Sequence, residues 1–369
     1  MQKTLRLIAV MIFACGMFIP AMANAALDYG LYWFDGNNNS VKAVEANGKV
    51  NKVQRSFYDP KKPTIVHFHG WQPASGILGR EDFNFKGIIT SRAWKEKGWN
   101  IAYFYWDQFA NELEVKHAEA KMWSTNGPRG MRYKKSDGSY STQNAPNKSI
   151  GQIAFEQVTA ALADNSSNYL RLSGHSLGSQ LATIVAGKIS DAVTSGSISA
   201  NVMVDRLELL DPFFSKYGKS YLGDANGDGY DDWTGEHVRW TVQTLINRHD
   251  IPVTGYYSSN INDLWIGDKN NGLRSMIAEM WHRYWYLVDE VNKHNHVVPN
   301  YFRSMASAPP EEVTINWWGR RSQTGNVAAS ASTSDSRVKA MMGNTYYWDQ
   351  VEGRYTSDPA DDQFEIKRY

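Results

Sequence analysis

The chain has 369 residues, of which 42% are hydrophobic, so it is long enough to bury a large core. Its formal net charge is +1 and no stretch concentrates Lys and Arg, which argues against nucleic acid as a partner. Its single cysteine, Cys15, excludes a disulfide within the chain and a cysteine-ligated zinc site.

The segment up to residue 25 has the three parts of a secretory signal peptide. Basic side chains precede an apolar run over 7–20, and small residues then lead to Ala25. The run is too short to favour a membrane-spanning anchor. We predict cleavage after Ala25 and export to the periplasm or the medium. Phe13 fits a lipoprotein signal poorly, so lipid anchoring through Cys15 is not expected.

Strand-like apolar runs alternate with helix-like segments over 26–305. Strands are predicted over 31–34, 64–68, 100–106, 169–172, 202–210 and 240–247, and helices over 150–162 and 180–186. Strands separated by helices predict an α/β domain with a mostly parallel central sheet and helices on both faces. Such sheets bind ligands at the carboxyl ends of their strands, which is where we expect the functional site.

Two segments depart from this alternation. Residues 107–149 are polar with few strand signals, and are interpreted as either a surface loop or a mobile flap near the site. Residues 306–369 turn rich in Ser, Thr and Ala, and are expected to form a small β appendage or added edge strands. The predicted organisation is a signal peptide (1–25), an α/β domain (26–305) and a C-terminal extension (306–369).

The pentapeptide Gly-His-Ser-Leu-Gly at 174–178 lies between a short predicted strand and a predicted helix. In this context Gly-x-Ser-x-Gly is typical of a nucleophile elbow, a strained turn that exposes a serine hydroxyl above a sheet. The start of the following helix favours negative charge beside that hydroxyl. The same pattern occurs by chance in unrelated loops, but its flanks here indicate that Ser176 is a nucleophile.

A serine nucleophile needs a base, and the base needs a carboxylate that orients it. In α/β-hydrolases the three residues follow in the order serine, acid, histidine. Asp211 is the leading candidate for the acid because it directly follows the predicted strand over 202–210. Asp205, near the start of that strand, is a weaker candidate, and the alternative for Asp211 is a turn-forming Asp-Pro pair.

Five histidines follow the candidate acid: His237, His249, His282, His294 and His296. His237 precedes a predicted strand, so it would face the wrong end of the sheet. His294 and His296 lie in a polar stretch and are interpreted as solvated. Spacing alone therefore leaves His249 and His282 as nearly equal candidates for the base.

The oxyanion hole requires two backbone N–H groups aimed at the developing negative oxygen. Leu177, directly after the nucleophile, is expected to supply one of them. Trp71 is the candidate for the other, because it follows a His-Gly element after the predicted strand over 64–68. His67 and His69 alternate on that strand and could instead bind a metal, but no third ligand lies nearby in the sequence.

Four segments occur in the order that is found in the pancreatic-type lipase family, which includes triacylglycerol lipases and phospholipases A1. They are Thr64–Trp71, Gly174–Gly178, Leu209–Pro212 and Met280–Tyr286. The chain resembles this family over about residues 60–290. The resemblance implies an α/β-hydrolase fold, ester hydrolysis and an acid in the Leu-Asp-Pro element. It also implies that His282 is the base, with His249 as the runner-up.

A second motif follows the candidate acid, the acidic sequence Asp-Ala-Asn-Gly-Asp-Gly-Tyr-Asp-Asp at 224–232. Oxygen-bearing side chains at positions one, three and five, followed by glycine at six, match the first half of a calcium-binding loop. The predicted ligands of a structural Ca²⁺ are Asp224, Asn226, Asp228, the carbonyl near Tyr230, and Asp232. The alternative is a solvated acidic loop.

Together these predictions indicate a secreted serine hydrolase of carboxylic esters, similar to lipases, that forms an acyl-serine intermediate. Ser176 attacks the carbonyl, His282 moves the proton and Asp211 orients the imidazole. The first alternative is a phospholipase A1 or an acyltransferase with the same triad. The second is a non-catalytic lipid- or glycan-binding protein on the same fold. The expected partner is a lipid or another acyl ester, with contact to a lipid surface; neither nucleic acid nor an organic cofactor is expected.

Overall fold

The computed structural model describes residues 27–73, 80–263, 267–343 and 345–369. The predicted signal peptide over 1–25 and its Cys15 lie outside the described residues. Within the described ranges, no helix combines the length and the apolar character needed to cross a membrane.

The described residues form strands and helices that alternate through most of the chain. The strands are β1 (Gly30–Phe34), β2 (Ser40–Lys42), β3 (Thr64–Phe68), β4 (Asn84–Phe85), β5 (Ile88–Ile89), β6 (Asn100–Tyr105), β7 (Tyr133–Lys134), β8 (Tyr140–Ser141), β9 (Leu170–His175), β10 (Arg206–Leu210), β11 (Val253–Tyr257), β12 (Ala278–Trp281), β13 (Glu311–Ile315), β14 (Arg321–Val327), β15 (Tyr346–Glu352) and β16 (Gln363–Arg368). The helices are α1 (Thr90–Glu96), α2 (Asp107–Ala110), α3 (Val115–Trp123), α4 (Ile150–Ala161), α5 (Leu177–Thr194), α6 (Thr234–His249), α7 (Asn271–Arg274), α8 (Glu290–Ser304) and α9 (Asp335–Met341).

Most strands of the described residues join one sheet, in the order β14-β13-β16-β15-β12-β11-β10-β9-β3-β6-β1-β2. From β6 to β15 every neighbouring pair is parallel. Alternate residues of β3 face two separate apolar clusters: Val66 and Phe68 pack with α4 and α5, and Ile65 packs with α1 and α8. Helices therefore cover both faces, and the predicted mostly parallel α/β sheet is confirmed.

The strand predicted over 240–247 is wrong, because these residues lie inside α6. The segment is rich in β-branched residues, which favour strands. Its buried residues Val238, Val242 and Leu245 nevertheless recur at four- and three-residue intervals, so they lie on one face of a helix. The strand of this region is β11, which begins shortly after the helix.

The segment over 107–149 is folded rather than a structureless surface loop. It contains α2, α3 and the short hairpin of β7 and β8. Its centre is the buried carboxylate of Glu112, which accepts hydrogen bonds from Lys121 at 2.7 Å and from Arg132 Nε at 2.8 Å. A buried carboxylate is tolerated where it is paired in this way, and the pairs hold the segment together. Val115, at the start of α3, lines the cavity described below.

The C-terminal extension adds strands to the central sheet. β15 pairs in parallel with β12, and β16, β13 and β14 continue beyond it. The buried Arg206 of β10 donates hydrogen bonds to the carbonyl oxygens of Thr333 and Ser330, at 2.5 and 3.0 Å. This contact ties the extension to the middle of the sheet, so the two segments share one core.

Asp362, at the start of β16, is a buried acid whose pKa depends on its surroundings. It is 6% exposed, and its Oδ1 accepts a hydrogen bond from Gln350 at 2.7 Å. Burial, with the nearby charges of Asp361 and Asp358, raises the pKa of Asp362 to about 7. An unfolded chain would release the same proton near pH 4, at about 3.9. Between about pH 4 and pH 7 the folded protein therefore binds more protons than the unfolded chain, so the free energy of unfolding falls as pH rises through this range.

We expect Asp362→Asn to remove this part of the pH dependence. The pKa of Asp362 differs by about three units between the folded protein and the unfolded chain, which corresponds to at most about 4 kcal/mol. Near pH 8 the free energy of unfolding of the variant should therefore exceed that of the parent by about 2–4 kcal/mol. Near pH 4 the two proteins should have similar stability. Urea unfolding at both pH values measures the difference. Parallel curves of stability against pH for the two proteins would contradict the prediction.

Candidate active site

The predicted nucleophile lies on a turn between the central strand β9 and helix α5. β9 ends at His175 and α5 begins at Leu177, which leaves Ser176 alone between them. Its backbone angles are φ 54° and ψ −122°. A non-glycine residue in such a region costs about 1–3 kcal/mol and persists only where the surrounding structure holds it. The strand, strained turn and helix, in the centre of a mostly parallel sheet, establish the α/β-hydrolase fold.

Two glycines allow this turn to pack closely against the end of β3. A Cβ atom on Gly178 would lie 2.0 Å from the carbonyl oxygen of Phe68. A Cβ atom on Gly70 would lie 2.7 Å from Cβ of Ser176. Real Cβ atoms do not make such contacts, because packed interiors leave no room for the overlap. Both positions therefore require glycine if the loop after β3 is to lie beside Ser176.

The predicted acid, Asp211, directly follows β10 and is fully buried. Its backbone N–H donates to the Tyr256 carbonyl oxygen at 2.6 Å. Its Oδ2 lies 3.1 Å from Nδ1 of His294 and 2.9 Å from the hydroxyl oxygen of Ser258. The N–H of Ser176 donates to the carbonyl oxygen of Leu210, which links the turn to the strand that carries the acid.

His294, in the first half of α8, is the histidine that meets this acid. Because a carboxylate only accepts hydrogen bonds, the contact with Asp211 requires a proton on Nδ1. The neutral ring then has an unprotonated Nε2, which can accept the proton of a hydroxyl. His294 and Ser176 line the same cavity. These residues follow in the order serine, acid, histidine.

The structure does not bring His282 to the position expected of the base. Its ring lies among those of Tyr256, Tyr284 and Phe364, and its Nδ1 is buried without a hydrogen-bond partner within the described residues. Burial, together with the nearby His296, lowers the pKa of His282 to about 3. The residue directly after β12 thus belongs to an aromatic cluster. His294, rather than His282, is therefore the candidate for the base.

The runner-up, His249, is also separate from the site. It is the last residue of α6, and its Nε2 lies 2.8 Å from the hydroxyl oxygen of Ser190 on α5. This pair is on the helical layer, away from the carboxyl ends of the strands. His249 therefore connects two helices.

Sequence reasoning missed His294 because its neighbours are polar, although a helical pattern includes it. Buried residues at 294, 297, 298, 301 and 302 follow the i, i+3, i+4, i+7, i+8 spacing of one helix face. Asp289 caps the helix by accepting the N–H of Asn292 at 2.8 Å. These signals place His294 on the buried face of a helix.

His175, directly before Ser176, contacts the backbone of the same helix. Its Nε2 lies 3.0 Å from the His294 carbonyl oxygen, and the two ring centroids are 4.5 Å apart. Burial, with the neighbouring His294, lowers the pKa of His175 to about 4, so the ring is neutral near pH 7. A carbonyl oxygen only accepts, so the proton of the neutral ring lies on Nε2. His175 is therefore a positioning residue for α8.

The two residues predicted to supply oxyanion donors, Leu177 and Trp71, lie near Ser176: Leu177 follows it directly, and Trp71 follows Gly70, where a Cβ atom would lie 2.7 Å from Cβ of Ser176. Leu177 is the first residue of α5, so its N–H has no partner four residues earlier in the helix. Trp71 lines the cavity, and its indole nitrogen donates to the Glu112 carbonyl oxygen at 2.7 Å, which fixes its ring. His69 donates from Nδ1 to the Gly70 carbonyl oxygen and accepts the Trp106 N–H at Nε2, so both its ring nitrogens are used within the fold.

The cavity at Ser176 and His294 has a volume of about 500 Å³. Small-molecule sites span roughly 300–1,000 Å³, so the cavity has the size of such a site. Apart from the catalytic candidates its lining is mainly apolar: Trp71, Pro73, Val115, Phe213, Ile261 and Val291. An apolar lining favours a hydrocarbon group over a charged one.

The predicted calcium loop is exposed, and its side chains hydrogen-bond within the loop. Asp224 accepts the N–H groups of Gly227, Asp228 and Gly229, Asn226 accepts that of Asp228, and Asp228 accepts that of Tyr230. Asp232 is turned inward, where its Oδ2 meets the Ala225 N–H and His237. Within the described ranges, no group of three or more His, Cys, Asp or Glu side chains is arranged to hold a metal ion. The calcium ion stays a prediction, and no part of the proposed reaction depends on it.

No protein-family model and no curated protein matches the chain. Solved structures similar to it include Est1E of Butyrivibrio proteoclasticus with bound ferulic acid, at 12% identity over 54% of this chain and 70% of that chain, with a TM-score of 0.25. A poly(3-hydroxybutyrate) depolymerase of Bordetella parapertussis matches at 12% identity over 67% and 71% of the chains, with a TM-score of 0.31. A thermophilic esterase of Thermogutta terrifontis with bound butyrate matches at 13% over 62% and 67%, with a TM-score of 0.27. Similarities this low say nothing about the substrate of this chain, and the resemblance to pancreatic-type lipases stays a sequence-based hypothesis.

Proposed function

We propose that the chain is a serine hydrolase of carboxylic esters that carry an apolar acyl group. The observation that carries the proposal is the 3.1 Å contact between Asp211 and Nδ1 of His294, on a cavity that also contains Ser176. A serine, a buried carboxylate and an imidazole, in this chain order, are the groups that nucleophilic acyl transfer needs.

In the proposed reaction, the hydroxyl oxygen of Ser176 attacks the ester carbonyl while Nε2 of His294 takes its proton. The bond between the carbonyl carbon and the alcohol oxygen then breaks, and His294 gives the proton to the leaving alcohol. Acyl-Ser176 results. A water molecule attacks the acyl carbon with His294 again as the base, and the products are a carboxylic acid and the free serine hydroxyl.

The residues around the three groups support this assignment. The N–H groups of Leu177 and Trp71 are the proposed donors to the oxyanion of the tetrahedral intermediate. Ser258 lies 2.9 Å from both Asp211 Oδ2 and the Lys293 carbonyl oxygen, so it joins the acid to the helix that carries His294. Its single proton serves one of these two acceptors at a time.

Export and lipid specificity are the finer parts of the proposal. The signal peptide predicted for 1–25 supports export, and the apolar cavity supports a lipid-like acyl chain. An acyltransferase would use the same residues and would pass the acyl group to an alcohol. A binding protein on this fold would need no activated serine, so labelling of the serine separates it from an enzyme.

Ser176→Ala is expected to lower kcat/KM for a p-nitrophenyl ester by at least about a thousandfold, because the acyl-enzyme cannot form. It should also abolish labelling by a fluorophosphonate probe. Ser195→Ala, at the exposed end of α5, is the matched control and should react like the parent. Thermal unfolding checks that both variants fold.

Three outcomes separate the functions. Loss of turnover and labelling in Ser176→Ala alone supports the hydrolase. A parent protein that neither hydrolyses the ester nor reacts with the probe contradicts it and favours the binding protein. Turnover that rises with added alcohol and yields a new ester favours the acyltransferase.

A further inference from the structure

A second compartment adjoins the cavity that contains the proposed nucleophile. Its volume is about 280 Å³, and both cavities are lined by Glu81, His175 and Asn295. Small-molecule pockets begin at about 300 Å³, so the second compartment is close to the size of a small ligand site. The two spaces therefore meet beside His294, at the residue that follows it on α8.

The second compartment differs from the first in its chemistry. It adds the polar side chains of Lys86, Asn292 and His296 to the shared residues, and its apolar part includes the ring of Phe85. The Asn295 side chain makes no hydrogen bond within the described residues, and Lys86 makes no ion pair there. Free amide and ammonium groups on a cavity wall are available to a ligand.

The charges of this lining are mixed. Lys86 is cationic, and Glu81 is a carboxylate whose Oε2 accepts the Tyr103 hydroxyl at 2.7 Å. Nε2 of His296 lies 2.6 Å from the Tyr286 hydroxyl oxygen. A phosphate would be attracted by Lys86 and repelled by Glu81, whereas neutral hydroxyl groups can donate to the carboxylate and accept from the amide and the ammonium. Mixed donors and acceptors beside an aromatic ring thus favour a neutral ligand with many hydroxyls.

We propose that this compartment binds a neutral polyhydroxylated alcohol of about sugar size, so that the substrate is an acyl ester of such an alcohol. The inference rests on the proposed function and names the alcohol part of its substrate. The acyl chain occupies the apolar cavity, and the alcohol leaves beside His294 into the polar compartment. Asn295, which lines both spaces, is the main determinant of this preference.

The test compares kcat/KM for two substrates with one acyl chain, an octanoyl ester of glucose and ethyl octanoate. We expect the parent enzyme to prefer the glucose ester by about tenfold, the effect of one or two hydrogen bonds to substrate hydroxyls. Asn295→Leu should bring the ratio of the two values close to one. Val291→Leu is the matched control on the same helix; it lines only the apolar cavity and should leave the ratio unchanged.

Each other outcome overturns the proposal in a recognisable way. A parent enzyme that hydrolyses ethyl octanoate without preferring the glucose ester overturns this inference and leaves the proposed function intact. A parent that hydrolyses neither ester overturns both. A preference for an octanoyl lysophospholipid over the glucose ester, abolished by Lys86→Gln, overturns the neutral alcohol in favour of an anionic one. If Asn295→Leu leaves the ratio of kcat/KM for the two esters unchanged, the compartment does not select the alcohol, and the proposal is overturned.

Discussion

His294→Ala is expected to lower kcat/KM for a p-nitrophenyl ester by at least about a thousandfold, through kcat rather than KM. The variant keeps Ser176 but removes the only imidazole that meets Asp211 in the described structure, at 3.1 Å. The serine would then have to lose its proton to water. Steady-state kinetics of the purified variant measures the loss. Thermal unfolding of the variant is measured as well, because the substitution removes the imidazole from the buried carboxylate of Asp211 and leaves it the Ser258 hydroxyl.

The matched variant is His282→Phe, at the residue that the resemblance to pancreatic-type lipases favours as the base. The His282 ring packs among three aromatic rings, and its Nδ1 has no partner within the described residues. A phenyl ring preserves most of these contacts and removes a buried polar atom, so we expect the variant to fold and to retain most of its activity. Full activity of His294→Ala together with loss in His282→Phe would contradict the proposed base.

The positions of Ser176 and Asp211 could be predicted because local sequence determines them. The turn around Ser176 requires glycines within two residues on each side, and its flanking strand and helix adjoin it in the chain. Asp211 comes directly after the buried strand β10, so the end of the strand sets its place. Each of these positions depends on residues close by in the sequence.

The base depends instead on how a distant helix packs. His294 meets Asp211 because α8 packs on the sheet, where its backbone accepts hydrogen bonds from His175 and Ser258. Neither contact follows from spacing along the chain. The resemblance to pancreatic-type lipases favoured His282 through the segment Met280–Tyr286. In the structure β12 lies two strands from β10, and the His282 ring packs among aromatic rings.

The parts of the fold that could be predicted also depend on residues close together in the sequence, whereas the other parts depend on contacts between distant segments. The parallel centre of the sheet could be predicted from alternating strands and helices, because each unit is local. The place of β15 beside β12 could not, since this pairing joins residues that lie far apart along the chain, such as Met280 and Trp348. For the segment over 107–149, composition alone indicated a loop, and the pairing of Glu112 with Lys121 shows how polar residues can hold a folded unit.

Gly178→Ala is expected to destabilise the protein by about 3 kcal/mol or more, or to prevent soluble expression. An added Cβ would lie 2.0 Å from the Phe68 carbonyl oxygen and 2.6 Å from that of His69, and both are backbone atoms that cannot rotate away. Helix α5 and the end of β3 would have to separate. The turn that carries Ser176 directly precedes α5 and packs against the end of β3. Any variant protein that folds should therefore also have lost most of its ester hydrolysis.

Gly187→Ala, on the same helix, distinguishes this cause from a general effect of alanine. Its added Cβ would meet the Cγ2 atom of Thr241, a side-chain atom on a neighbouring helix that can shift. Alanine is favoured over glycine inside a helix by about 1 kcal/mol, which offsets part of that contact. Thermal unfolding of both variants measures the contrast. If Gly178→Ala unfolds at the same temperature as Gly187→Ala, the close approach of the turn to β3 is not what stabilises the strained conformation of Ser176.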